Sequence, residues 1–172
     1  MEKINKRRIL WSVVMLWMLV IFFFSAQPAL ESARLSGGIT EMIVTGVVSN
    51  FNYLSADEQH IIIQQASFAV RKSAHFSIYA ILGFFTMLAL YKTAQVAGFI
   101  KLQKKQTQGF LALLICMLYA MSDEFHQHFV LGRSAELRDV LIDITGAALG
   151  ILIAWLILNI RQRFMNNKLN VT

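Results

Sequence analysis

Carboxylates and imidazoles are crowded into residues 122–128, directly after an apolar run at residues 109–121. Such a run is typical of a helix inside a membrane, where placing a charged group is costly. Residues 132–143 then carry further charge into the next apolar run. Because ionisable groups at such positions indicate a functional site, we expect a polar pocket at one end of a small membrane bundle.

Spacings of three or four residues put polar side chains on common helix faces near that end. The sets are Arg71, His75 and Tyr79; Asp123, His126 and Gln127; and Asp139 with Asp143. Ser25 and Gln27 end the first apolar run at the same level, and Pro28 marks the break in its helix. Because isolated charge is costly to bury, we expect these faces to meet.

The residue types in this cluster are compatible with catalysis. A histidine beside a carboxylate of a neighbouring helix is an arrangement for general acid and base chemistry. The candidate catalytic residues are therefore His75, Asp123, His126 and Asp143. A structural alternative stays open, in which the Asp–His and Asp–Arg pairs only tie the helices together.

The same cluster can also bind an anion, since arginine contacts phosphate or carboxylate through two parallel hydrogen bonds. The candidate ligand-binding residues are Gln27, Arg71, Tyr79, Glu124, Gln127, Arg133 and Asp139. No spacing of the HExxH or CxxC kind supports a metal. We predict neither a metal site nor a cofactor.

Composition defines the class of protein. The chain has 172 residues, of which 56% are hydrophobic, and a mean hydropathy of +0.55, too apolar for an ordinary soluble domain. The single cysteine, Cys116, excludes an intrachain disulfide. The net charge is +6, but the basic residues flank the apolar runs and form no stripe interleaved with aromatics. Nucleic acid is therefore not an expected partner.

Four apolar runs predict an all-α, integral membrane four-helix bundle that forms a single domain over residues 1–172. The expected spans are about 9–26, 74–91, 109–130 and 140–160, because roughly 20 apolar residues cross the hydrocarbon core. The third reaches that length only if its helix continues beyond Met121 to about Val130. In the fourth, Gly146 and Gly150 predict a close approach to a neighbouring helix.

The basic residues are distributed unequally between the segments that join the spans. Eleven of the 16 lie on the same side as the amino terminus, with one acid, and five lie on the other side with nine acids. Because positive residues favour the cytoplasmic side, both termini are expected in the cytoplasm. The polar cluster then faces outward.

The segment between the first two spans predicts an extracytoplasmic amphipathic helical segment. Apolar residues recur there at helical spacing: Ile39, Met42, Ile43, Val47 and Phe51. Such a helix lies on the membrane surface or across the mouth of the bundle. The capping-box pattern from Ser55 to Glu58 predicts a second helix from about Ala56 that can continue into the second span.

Several short motifs occur together between the first span and the fourth. They are Ser-Ala-Gln-Pro at 25–28, Arg-Lys-Ser-Ala-His-Phe at 71–76, Ser-Asp-Glu-Phe-His-Gln at 122–127, Gly-Arg at 132–133, and Asp-Val-Leu-Ile-Asp at 139–143 followed by Gly146 and Gly150. With them the sequence resembles the VanZ-like family of bacterial membrane proteins. That family usually has Pro-Gly-Arg where this sequence has Leu131-Gly132-Arg133, a change that loosens the turn but keeps the arginine.

The resemblance implies a multi-pass protein of the bacterial cytoplasmic membrane, in a family whose founding role is low-level resistance to teicoplanin-type glycopeptide antibiotics. We expect an outward-facing polar pocket that binds or processes a lipid- or cell-wall-associated molecule. The expected partners are membrane lipid and a lipid-linked cell-wall precursor or glycopeptide. Two alternatives stay open: a non-catalytic protein that alters glycopeptide access through a partner or lipid, and a membrane-embedded hydrolase or transferase. The residues do not fix the oligomeric state.

Overall fold

The computed structural model describes residues 2–97 and 104–169, which form five α-helices and no strand. The helices are α1 (Glu2–Ser25), α2 (Ala29–Val47), α3 (Ala56–Ala97), α4 (Lys105–Gln127) and α5 (Leu137–Leu169), with a 3₁₀ turn at Phe51–Tyr53. Lys101, one of the basic residues behind the predicted orientation, lies outside the described residues, as do the side chains of Lys3 and Lys168. The all-α prediction is confirmed.

Four of these helices are long and apolar enough to cross a membrane. The candidate spans are Asn5–Ser25, Ala56–Val96, Lys105–Gln127 and Leu137–Asn167. Large apolar side chains such as Phe23, Phe110 and Phe164 are exposed on their outer surfaces. A surface of this kind suits lipid rather than water, and the four-span membrane bundle is confirmed.

The helix ends differ from the predicted span limits for reasons visible in the hydrogen bonds. α3 begins at Ala56 and continues unbroken through the second span, because the capping box forms: the Ser55 backbone N–H donates to Glu58 Oε2 over 2.9 Å. α4 ends at Gln127 and not at Val130, since the Phe129 and Val130 amides donate to carbonyls only three residues back. The third span gains its length at its amino-terminal end instead, where it begins at Lys105.

Glycines bring α3 and α5 into backbone contact. A Cβ atom at Gly146 would lie 2.2 Å from the Phe76 carbonyl oxygen, and one at Gly150 would lie 1.8 Å from the Ala80 carbonyl oxygen. Only a residue without a Cβ fits at such distances, so the predicted close approach is confirmed. This contact fixes how far α3 is shifted along its axis relative to the start of α5.

Two side-chain hydrogen bonds to backbone carbonyls hold α1 against the rest of the bundle. Trp17 Nε1 donates to the Ile78 carbonyl of α3 over 2.8 Å, and Tyr119 Oη of α4 donates to the Met18 carbonyl over 2.6 Å. Trp17 and Met18 both precede the carboxyl-terminal end of α1 at Ser25. The last turn of α1 is thereby positioned beside the polar residues of α3 and α4.

α2 packs against α3 with a face other than the apolar one that its periodicity identified. Thr40 and Val44 are buried, whereas Ile39, Met42, Ile43 and Val47 are between 45% and 75% exposed. Phe51 is buried, but it belongs to the 3₁₀ turn and not to α2. One side of α2 therefore contacts the bundle mouth and another presents apolar residues outward.

Candidate functional site

The polar ends of the helices surround a cavity of about 460 Å³, here called the end cavity. Its walls come from the last turn of α1, the first half of α2, α3 around His75, the end of α4, and residues 132–139. A cavity of this size lies in the range of small-molecule sites. The faces predicted to converge on one end of the bundle therefore do so.

Two arginines line the end cavity without a carboxylate partner. Arg71 makes no ion pair or hydrogen bond with any residue in the described ranges, and Arg133 donates from Nη1 only to the neutral Gln127 Oε1, over 3.1 Å. Burial lowers the pKa of the Arg133 guanidinium, although the carboxylates of Asp123 and Glu124 oppose that shift. Arginine stays protonated nonetheless, so both side chains present positive charge to the cavity.

Lys72, the residue next to Arg71, differs from these arginines because its charge is compensated. Its ammonium forms an ion pair with Asp139 at the start of α5, and it also lies 5.2 Å from the centre of the Phe68 ring. The pair ties α3 to α5 at the rim of the cavity. Among the cations of the described wall, the two arginines are therefore the ones that lack a carboxylate in ion-pair contact.

His75 lines the cavity, and Asp143 lies behind it in the core. Asp143 is completely buried, and its Oδ1 is 3.5 Å from His75 Nδ1, close enough for a charge interaction but too far for a strong hydrogen bond. Neither carboxylate oxygen has a hydrogen-bond partner among the described residues. Because Nδ1 is turned towards Asp143, Nε2 is the ring nitrogen left for the cavity.

Asp123 connects the cavity wall to the buried Tyr79 behind it. Its Oδ2 accepts from Tyr79 Oη over 3.5 Å and from Gln127 Nε2 over 3.3 Å. Gln127 in turn accepts from Arg133, so a chain of side chains runs from the buried Tyr79 to the cavity arginine. Both bonds to Asp123 are long, and its Oδ1 has no partner within the described part of the chain. The carboxylate is therefore incompletely satisfied by its neighbours.

The turn that carries Arg133 is attached to two helices. The Glu136 N–H donates to Glu124 Oε2 over 3.0 Å, and the Ala29 N–H at the start of α2 donates to the Leu131 carbonyl over 3.2 Å. Gly132 between them has a φ of 76°, a conformation that L side chains rarely adopt. These contacts set the position of Arg133.

The structure places most of the predicted site residues together. Those that line the cavity are Gln27, Arg71, His75, Asp123, Gln127, Arg133 and Asp139. Tyr79, Glu124 and Asp143 lie behind this wall and bond or face its members.

His126 lies away from the cavity, so the expected common face is wrong for this residue. Its ring packs edge-on against Phe22 of α1, with 4.6 Å between the ring centres. Asp123 and Gln127, four residues apart, point almost the same way from α4, whereas His126 is rotated by about 100° from Gln127. The geometry therefore indicates that His126 contacts α1.

Several lining residues were missed by the sequence reasoning: Lys72, Glu136, Ser134, Ser32 and Ser36. The three-residue spacing of Lys72 from His75 was a usable signal. Ser32 and Ser36 gave a weaker one, the spacing by four of small polar residues on α2. In the described ranges no three His, Cys, Asp or Glu side chains come close enough together to hold a metal ion.

The sequence matches the model of a known protein family. The family model described as VanZ/LLP1 matches residues 10–158, a range that contains every residue lining the end cavity. No curated protein and no solved structure matches the chain.

Proposed function

The chain belongs to the VanZ/LLP1 family of membrane proteins, and from this premise we propose that its end cavity binds the anionic group of a lipid- or cell-wall-associated molecule. The observation that carries the proposal is the pair Arg71 and Arg133, which face the cavity without a carboxylate partner among the described residues. Guanidinium groups match phosphate and carboxylate in two-point contact. A bound anion offsets the cost of holding two cations that lack an ion-pair contact in one partly buried site.

We propose further that the cavity faces outward from the bacterial cytoplasmic membrane, with both termini in the cytoplasm. The distribution of basic residues supports this orientation, since 11 of the 16 fall on the side of the termini. From the outer face, the protein meets lipid-linked wall precursors where glycopeptides act on them. Low-level teicoplanin resistance then follows from binding the precursor or altering access to it, with no chemical step required.

A membrane-embedded hydrolase or transferase is the second candidate function, and the pairing of His75 with Asp143 favours it. In this reading His75 Nε2 takes a proton from an attacking water or hydroxyl and passes it to the leaving group, while Asp143 stabilises the imidazolium. The arginines then hold the anionic group that is attacked. Substrate turnover that is lost in His75→Ala, with anion binding retained, distinguishes this candidate from simple binding.

The proposal is tested by identifying what co-purifies with the protein. Mass spectrometry of extracts from wild-type protein should reveal a phosphate- or carboxylate-bearing molecule, and the double variant Arg71→Gln with Arg133→Gln should lose it. Arg138→Gln is the matched control, because Arg138 is exposed, contacts the Phe68 ring and does not line the cavity. Equal recovery from all three proteins, or no anionic molecule from wild type, contradicts the proposal.

A further inference from the structure

Two parallel stripes of α3 give the end cavity a polar half and an apolar half. Arg71 and His75 are spaced by four and bring charge to the wall, while Val70, Ala74 and Ile78 repeat with the same spacing beside them and bring hydrocarbon. Lining residues between 123 and 139 extend the polar half and supply its remaining charged groups. The ligand space is therefore amphipathic across its width.

The apolar half is completed by α1 and α2. Ile21 and Phe24 of α1 and Ile39 of α2 line it, and two of these also reach the outer surface, since Phe24 is 57% exposed and Ile39 is 52% exposed. α2 diverges from α1 after Pro28 and packs on α3 instead. The apolar wall is thus continuous with the exposed hydrocarbon surface of the bundle between α1 and α2.

We propose that the ligand is a phosphate-bearing lipid, whose headgroup contacts Arg71 and Arg133 and whose chain leaves sideways between α1 and α2. This inference rests on the proposed function and specifies its ligand. A small soluble anion satisfies the arginines but leaves the apolar half in contact with water. A lipid phosphate satisfies both halves, and its chain reaches the membrane without crossing the polar wall.

The small side chains on the cavity side of α2 offer a way to block this path. Ser32 and Ser36 lie one turn apart there, and the Ser36 hydroxyl is bonded to the Ala33 carbonyl over 3.2 Å. The substitution Ser36→Trp fills the space beside the apolar wall while the arginines stay in place. Thr45 is exposed on the same helix, does not line the cavity, and supplies a matched control as Thr45→Trp.

Binding is measured with two probes, phosphatidic acid and its soluble counterpart glycerol phosphate, on purified full-length protein in detergent. Wild type should bind phosphatidic acid at least about tenfold more tightly than glycerol phosphate, because only the lipid fills the apolar half. Ser36→Trp should weaken phosphatidic acid binding by about tenfold and glycerol phosphate binding by much less. Thr45→Trp should change neither.

A second variant covers the case in which Ser36→Trp does not fold. Ile39→Asp places a charge at the edge of the opening on a half-exposed residue, and Ile43→Asp, on the same helix but outside the cavity wall, is its control. Only Ile39→Asp should weaken lipid binding. Lipid binding that is unaffected by the α2 variants, or lost equally with glycerol phosphate binding, overturns the sideways path. If Arg71→Gln leaves the binding of both probes unchanged, the proposed function itself fails.

Discussion

At the residue scale, the charge of the end cavity depends on which cations are compensated. Arg71 and Lys72 are neighbours in sequence, yet only Lys72 meets a carboxylate, Asp139, because the two side chains point about 100° apart on α3. The sequence identified Arg71 and Arg133 as candidate ligand-binding residues. It could not indicate that both remain unpaired, since that depends on where α5 begins relative to α3.

Releasing Lys72 from its ion pair should strengthen anion binding. Asp139→Asn leaves the ammonium as a third uncompensated cation in the wall, and the added attraction should tighten phosphatidic acid binding by about three- to tenfold. Titration of the purified variant measures the effect. Glu41→Gln, at an exposed acid of α2 outside the cavity wall, is the control and should bind as wild type does. Weaker binding by Asp139→Asn is the opposite of what we expect.

Gly132 should be intolerant of a side chain. Gly132→Ala forces a left-handed conformation on an L residue and brings its Cβ to 3.2 Å from that of Ala29. We expect a loss of about 1–2 kcal/mol in the free energy of unfolding and weaker anion binding, because Arg133 follows in the turn. Gly46→Ala, in a helix with no atom within 4 Å, is the control and should be neutral or slightly stabilising. Thermal unfolding in detergent measures the stability of both variants, and equal stability of the two contradicts this explanation.

At the scale of elements, the sequence patterns predicted the positions of the helices along the chain more accurately than the faces that these helices bury. Apolar runs identified four spans, and the capping box at Ser55 located the start of α3. Lipid tails are as apolar as a leucine side chain, so apolar periodicity does not indicate the face that packs against other helices. The buried stripe of α4 consists instead of small and polar residues: Gln108, Ala112, Cys116, Ala120, Asp123, Glu124 and Gln127.

The same reason explains one face that the sequence did not indicate and one wrong detail. On α2 the apolar residues that defined its predicted face are exposed, which fits the predicted helix on a membrane surface, while Thr40 is buried on another face. On α4 His126 was grouped with Asp123 by spacing, but it lies against Phe22 of α1. The spacing of small and polar residues by four is the signal that indicates the packing face of both helices.

The contact between α3 and α5 should be the most sensitive part of the bundle. Gly150→Leu places a side chain on the Ala80 carbonyl and forces the helices apart, which should cost about 3 kcal/mol. It should also separate His75 from Asp143 and distort the cavity. Gly109→Ala is the control, because its Cβ would make an ordinary 3.7 Å contact with Ile151. Unfolding temperature and membrane protein level should fall only for Gly150→Leu, and wild-type stability there contradicts the close packing.

At the scale of the whole molecule, composition was sufficient to predict an all-α membrane protein. A chain with 56% apolar residues and four long apolar runs is compatible with few other folds. The cavity could not be predicted as a volume. It depends on α2 folding back against α3 after Pro28, and on a turn that joins α4, α2 and α5. These are contacts between segments far apart in sequence that no local pattern specifies.

The orientation of the molecule is tested by reporter fusions. Fusions after residue 172 and after residue 100, which both lie outside the described residues, should report a cytoplasmic location, and those near residues 50 and 132 an external one. The expectation follows from the unequal distribution of basic residues. An external carboxyl terminus means that the end cavity faces the cytoplasm, and the link to wall precursors is then lost.

The central claim, that Arg71 and Arg133 hold an anion, is tested most directly by replacing each with lysine and measuring phosphatidic acid affinity. Lysine keeps the charge but lacks the planar fork, so each variant should bind about tenfold or more weakly, as for the loss of one hydrogen bond to a charged group. Arg138→Lys, outside the cavity, should bind as wild type does, and all variants should reach wild-type levels in the membrane. Wild-type affinity in both Arg71→Lys and Arg133→Lys contradicts the account.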